Sequence, residues 1–197
     1  MKVFVINLER CKKEREKTKN ILYNAKINFE LYNAIDGKKL KNNEYKGELD
    51  WYDPYHNLHL TVGEIGCGLS HYNLWEKIVN DKIEKAIILE DDFELKTENL
   101  LKDIEEVDID YEFIYLGRKK MNDDIIEDKI NEKLVKPSFS YWTIGYVITY
   151  EGAKKLYNNV YKKGIIPIDE YIPFMLGATH LNNEIQNKLE KYYKNIR

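Results

Sequence analysis

The short apolar run Ala86-Ile-Ile-Leu89 stops at three consecutive carboxylates, Glu90, Asp91 and Asp92, and this junction constrains the fold more than any other part of the chain. A run of that length and β-branched character reads as a strand buried on both faces, which belongs to a sheet covered by helices. Its carboxyl end is where a rigid sheet delivers acidic side chains to a surface crevice. Carboxylates crowded together repel one another unless a cation lies among them, and a hard divalent ion takes oxygens from one or two of them plus phosphate oxygens. A metal–diphosphate site is one reading of the junction. An acidic, solvated strand-to-loop corner is the other.

Strands and helices alternate on either side of it. Val3 to Leu8 is a compact apolar run, and the charged segment Glu9 to Lys26 carries Ile21, Leu22 and Ala25 on one helical face. Phe29 to Tyr32 reads as a second strand, closed by the turn pair Asp36-Gly37. Between Leu40 and Val62 the pattern dissolves into polar residues and aromatics, an irregular excursion of the kind that folds over a site. Helical spacing returns from Glu64 to Val79 through Ile65, Leu69, Tyr72, Trp75, Ile78 and Val79. After the Lys85 strand come a helix near Thr97 to Ile104, a strand Phe113 to Leu116, a charged loop around Met121 to Glu132, a strand Ile144 to Tyr150 and a helix Glu151 to Tyr161. This order predicts an α/β fold with a mostly parallel central sheet, helices on both faces and ligands at the strands' carboxyl ends. Residues 1–180 are expected to form the domain and 181–197 a polar helical tail.

With 197 residues, 43% of them hydrophobic, the chain is long enough to bury a sizeable core. Its net charge of -3, with Lys and Glu interspersed, argues against a nucleic-acid surface, which needs a concentrated basic excess. No stretch approaches the roughly 18 apolar residues of a membrane span, and Met1-Lys-Val-Phe-Val-Ile6 begins a strand rather than a signal peptide. Two cysteines, Cys11 and Cys67, make no disulfide framework. A cytoplasmic location is the expectation, with the endoplasmic reticulum second.

Other candidates carry plainer explanations beside the functional ones. His56 and His59 lie three apart but lack a neighbouring ligand motif. His71, on the helix after Gly63-Glu-Ile-Gly-Cys-Gly-Leu-Ser70, reads first as a hydrogen-bonded packing residue, and the glycines before it match neither phosphate-binding spacing. Ser140-Tyr-Trp-Thr-Ile-Gly-Tyr146 offers hydroxyls and an indole suited to a sugar, or simply core and edge. Asp169, in Pro167-Ile-Asp-Glu-Tyr-Ile-Pro173, is a good helix N-cap and also forms, with Glu170, a second compact acidic pair.

Asn7-Leu-Glu-Arg10, Ala34-Ile-Asp-Gly37, the 63–71 segment and Leu89-Glu-Asp-Asp92 occur in the order seen in glycosyltransferase family 25, which the chain resembles from Val3 to Phe174. That family contains lipooligosaccharide and procollagen galactosyltransferases. The segments Ile114 to Met121, Ser140 to Leu156 and Pro167 to Pro173 look closer to its collagen-modifying branch.

The resemblance implies a GT-A fold and an inverting transfer of a hexose, galactose or glucose, from a UDP-sugar with Mn2+, or Mg2+, as cofactor. The implied acceptor is hydroxylysine of a collagen-like protein; a lipooligosaccharide or other glycan acceptor, or a noncatalytic transferase-like binding module, is the alternative. Glu90, Asp91 and Asp92 fall on the family's metal-binding motif, with Asp92 the leading ligand. Asn7, Leu8, Arg10, Asp36, Glu64 and Trp142 are expected around the donor. An inverting displacement needs a base on the opposite face of the sugar, for which Asp169 is preferred over Glu170. His180 is a candidate for a late metal or phosphate contact.

Overall fold

The computed structural model describes residues 1–41, 51–53, 58–160 and 165–193. Its centre is a five-stranded sheet of order β2-β1-β5-β7-β6, built from β1 (Lys2–Asn7), β2 (Glu30–Asn33), β5 (Lys85–Glu90), β6 (Phe113–Lys120) and β7 (Ser140–Thr149). Two short strands, β3 (Tyr52–Asp53) and β4 (Leu58–His59), pair antiparallel beside it within the segment expected to be irregular. The helices are α1 (Lys12–Asn24), α2 (Val62–Asn80), α3 (Leu100–Glu105), α4 (Tyr150–Val160), α5 (Ile168–Met175) and α6 (Asn183–Tyr192).

The expected α/β class holds, and the sheet is mixed. β1 runs parallel to β2 and β5, and those connections pass through helices α1 and α2. β7 runs antiparallel to both β5 and β6. The reason is the link between β6 and β7, which contains no helix to carry the chain back for a parallel strand. That link is fastened by Arg118, whose guanidinium grips the Glu127 carboxylate while Ser138 donates through both its N–H and hydroxyl. Burial pushes the Glu127 carboxyl up, but Arg118 and Ser138 outweigh it and hold the pKa at about 2.

Residue alternation divides the core between the two sheet faces. Phe4, Ile6, Ala86, Ile88, Tyr146 and Ile148 face α2, α4, α5 and α6, whereas Val3, Val5, Ile87, Leu89 and Val147 face α1 and α3. The carboxy-terminal helix joins the first of these clusters, since Ile185, Leu189 and Tyr193 are buried against it. The four-residue spacing of Ile185 and Leu189 thus marks a packed face on an otherwise polar helix.

Two local devices set the entrance to the site. Thr61 and Glu64 form a capping box that starts α2: Glu64 N–H donates to the Thr61 hydroxyl, and the Glu64 carboxylate accepts from Thr61 N–H at 2.7 Å. Of the glycines that follow, Gly66 serves close packing rather than a phosphate cradle. A Cβ on Gly66 would lie 2.6 Å from the Ile35 carbonyl oxygen, and one on Gly37 would overlap Val62. Ile35 N–H donates to the Ser70 hydroxyl, so α2 is stapled to the turn after β2. No helix among the described residues is long and apolar enough to cross a membrane.

Candidate active site

Three concavities share walls along the carboxyl ends of β1 and β5 and the start of α5. The first, about 190 Å³, is lined by Leu8, Arg10, Asp36, His71, Glu90 and Asp91 among others. The second, about 410 Å³, is lined by Glu64, Cys67, Glu90, Asp92, Trp142 and Asp169. The third, about 620 Å³, takes Glu64, Trp142 and Asp169 as a common wall and adds Trp51, His59, Tyr141 and Glu170. Glu90 and Cys67 connect the first to the second, so a single trough runs from Arg10 to Glu170.

At the first end the side chains are committed to one another. Arg10 Nη1 lies 2.6 Å from Asp36 Oδ2, and Asp36 also caps the 36–39 turn by accepting from Lys38 N–H. Asn7 is buried and donates to the Asp91 carboxylate and to the Cys11 carbonyl, while its own oxygen accepts from Arg15. Asn7 thus joins the ends of β1 and β5 and does not line the trough. Asp91 turns toward this joint; burial raises its pKa, Asn7 opposes the rise, and the neighbouring Asp92 charge adds to it. The acidic triplet therefore splits, Asp91 facing α1 and the first pocket while Glu90 and Asp92 line the central cleft.

Glu90 is held from behind by the buried His71, whose Nε2 is 3.2 Å from Glu90 Oε1. Cys67 stands in the middle of the trough. Burial first, then the charges of Glu90, Asp169, Asp92 and Glu64, push its thiol well up, so it stays protonated and is no nucleophile.

At the far end, Asp169 is not the helix cap that its sequence context suggests. Pro167 occupies the cap position and Asp169 lies in the first turn of α5. The nearby backbone N–H groups of Asp169 itself and of Trp142 favour its ionised form. Burial and the adjacent Glu170 charge outweigh them and raise its pKa to about 6. Trp142 reaches this position with φ of 63°, a left-handed conformation that costs a non-glycine residue about 1–2 kcal/mol. Its indole is 56% exposed, with Lys119 Nζ 4.8 Å from the ring centroid. Glu170 is almost fully buried, with Oε2 making no hydrogen bond and lying 3.5 Å from His180 Nε2. His180 lies behind Glu170 on the core side, packed edge-on against Phe139, and lines none of the three concavities. His56 lies outside the described residues, and His59 lines the third concavity.

Sequence reasoning left Tyr146 open between a sugar-facing and a core role, and it is fully buried in the core; it missed the contribution of the Trp142 backbone and the central place of Cys67. Helical spacing between Cys67 and His71 was the available signal for the last of these.

The same stretch of chain matches known proteins. The family model described as "Glycosyltransferase family 25 (LPS biosynthesis protein)" matches residues 1–172. Procollagen galactosyltransferase 1-A of Xenopus laevis is 40% identical over 187 residues, covering 88% of this chain and 30% of the relative. Procollagen galactosyltransferase 2 of Homo sapiens is 39% identical over 187 residues, with the same coverage of 88% and 30%. A glycosyltransferase 25 family member of Aedes aegypti is 36% identical over 205 residues, covering 98% of this chain and 33% of the relative. The chain thus spans about a third of the length of these relatives. The match takes in both sheet edges, the split acidic triplet and the Asp169 turn, and on that extent the chain belongs to glycosyltransferase family 25.

Proposed function

We propose that this chain is a metal-dependent inverting glycosyltransferase that moves a hexose, galactose or glucose, from a UDP-sugar to the hydroxyl of hydroxylysine in a collagen-like protein. The observation that carries this reading is the placement of Glu90, Asp92 and Asp169 on the walls of one cleft of about 410 Å³. Family membership supports the reaction class, and the names of the vertebrate relatives support the acceptor class.

The donor set fits a hard divalent cation such as Mn2+ or Mg2+. Glu90 and Asp92 offer carboxylate oxygens on one wall, while the soft Cys67 thiol remains protonated. When bound, such an ion supplies positive charge against the negative charge gathering on a diphosphate leaving group. The residues of the chain do the rest. Arg10 and Asp36 frame the small pocket at the nucleotide end. The exposed Trp142 indole presents a flat apolar face on which the C–H side of a hexose stacks. Asp169 accepts the acceptor hydroxyl's proton as the oxygen attacks the sugar. A carboxyl titrating at about 6 is ionised at neutral pH and is a stronger base than an ordinary aspartate. Glu170 is the poorer candidate, since its carboxylate is buried and absent from the central cleft wall.

A matrix of UDP-galactose and UDP-glucose against a hydroxylysine-containing collagen peptide, its lysine counterpart and a galactose-terminated oligosaccharide tests this directly. Transfer that requires both divalent metal and the lysine hydroxyl is the expected result. Transfer only to the oligosaccharide overturns the acceptor, and transfer undiminished by EDTA overturns the metal role.

A further inference from the structure

Cys67, His71 and Glu90 place one ligand-type atom each within 4.8 Å of one another, the one such trio among the described residues. Proximity alone suggests a cation between them. The hydrogen bonds behind the trio argue otherwise. Trp75 Nε1 can only donate, and it donates to the Tyr146 hydroxyl at 2.9 Å. The same hydroxyl lies 2.9 Å from His71 Nδ1. Burial drives the Tyr146 pKa well up, so the phenol keeps its proton. Both Tyr146 and Trp75 are fully buried, out of reach of solvent. Having accepted from Trp75, Tyr146 has one proton to give, and Nδ1 of His71 is the acceptor in place. If His71 instead donated through Nδ1, the phenol proton would face a second donor and a buried hydrogen would lose its partner. Nδ1 is therefore an acceptor, and the neutral ring carries its hydrogen on Nε2, 3.2 Å from Glu90 Oε1.

We propose that His71 is a positioning residue, locked by Trp75 and Tyr146 in its Nε2–H tautomer so that it donates to one oxygen of Glu90 and leaves the other turned to the cleft beside Asp92. Both ring nitrogens are then occupied, and the Cys67–His71–Glu90 trio has no imidazole lone pair for a metal. The chain Trp75 to Tyr146 to His71 to Glu90 runs from the core outward, ending on a side chain that is 28% exposed at the cleft. A flexible glutamate at the end of β5 thereby becomes a fixed one, which is how buried partners commonly orient a ligating carboxylate. The consequence for cation binding rests on the function proposed above; the tautomer does not.

Nitrogen-15 NMR of the metal-free protein tests the lock without any ligand. The expected spectrum has His71 protonated at Nε2 and unprotonated at Nδ1, with Tyr146→Phe abolishing this single-tautomer state. Finding the Nδ1–H tautomer in the wild type, or no change in Tyr146→Phe, overturns the proposal. Calorimetry of UDP with Mn2+ then tests the hold on Glu90. His71→Leu is expected to weaken binding by about 10–100-fold, and His71→Gln, whose amide nitrogen reaches the same place, to recover most of that loss. Equal weakening by Leu and Gln, in variants with wild-type melting behaviour, overturns the positioning role. A wild type that shows the Nε2–H tautomer but binds no Mn2+–UDP overturns the donor-site reading of Glu90 and leaves the hydrogen-bond chain standing.

Discussion

The two ends of the trough differ in how much of their chemistry is already spoken for. At the Arg10 end, Arg10 is paired with Asp36, Asn7 with Asp91, and Glu90 with His71. At the Asp169 end, an exposed indole sits on a strained backbone, and a carboxyl is raised to about 6 by burial and a like charge. The first arrangement holds groups still and suits a ligand whose diphosphate and base have one fixed geometry. The second stores unfavourable energy in groups that a substrate would relieve, as expected where a proton must move. Under the proposed function, the hydrogen-bonded end would hold the donor and the strained end would activate the acceptor, two tasks that substitution should separate.

The largest effect is expected at the strained end. Asp169→Asn keeps the shape and removes the base, so kcat should fall by about 10²–10⁴ while Mn2+–UDP affinity stays near wild type. Loss of donor affinity in this variant would erase the distinction between the ends. Asp92→Ala should do the reverse, weakening Mn2+-dependent UDP binding by at least about tenfold, the worth of one charged contact. Asp92 is exposed and supports no core packing, so the melting temperature should hold. UDP affinity indifferent to this change would mark the triplet as a solvated corner.

Much of the contrast was legible in the sequence, and what was missed has a physical cause. The β5 run and its acidic end follow from period and composition, because a strand buried on both faces has few alternatives. The antiparallel β7 was legible only in part: the charged loop before it holds no helix, which allows an antiparallel return, but local pattern does not say which strands β7 lies between. Direction of side chains was hidden too. Three consecutive carboxylates look equivalent in sequence, yet the strand pleat and the turn after it send Asp91 to Asn7 and leave Glu90 and Asp92 at the cleft. Asp169 read as an N-cap because capping is a local pattern, and Pro167 displaced it by two residues. The relay behind Glu90 joins residues 71 and 75 to residue 146, and no local pattern reports such a pairing.

A pH titration sharpens the electrostatic half of the contrast. Asp169 holds its proton more tightly folded than unfolded, so ionising it costs stability as pH rises from about 4 through about 6. Relative to Asp169→Asn, the wild type should lose at most about 3 kcal/mol over that window, because each pKa unit is worth about 1.36 kcal/mol. Activity should rise over the same window as the base ionises. Glu170→Gln removes the like charge and should move the acid limb of the rate profile to lower pH. A limb that stays in place assigns the titration to another group.

The smallest expected effect separates backbone from side chain at Trp142. Substitution by alanine or by glycine removes the indole equally, so both should raise the donor KM to a similar extent if the ring stacks on the sugar. Only glycine relieves the φ of 63°. The left-handed conformation costs alanine about 1–2 kcal/mol, and glycine's extra chain entropy returns about 0.5–1 kcal/mol of that. Trp142→Gly should thus be more stable than Trp142→Ala by about 0.5–1 kcal/mol in urea denaturation. If the strain serves to aim the Trp142 N–H at Asp169, the glycine variant gains stability and loses that aim, and its kcat should fall below that of the alanine variant. Equal kcat in the two would mean that the strained backbone merely fits the β7 edge and contributes nothing to the base.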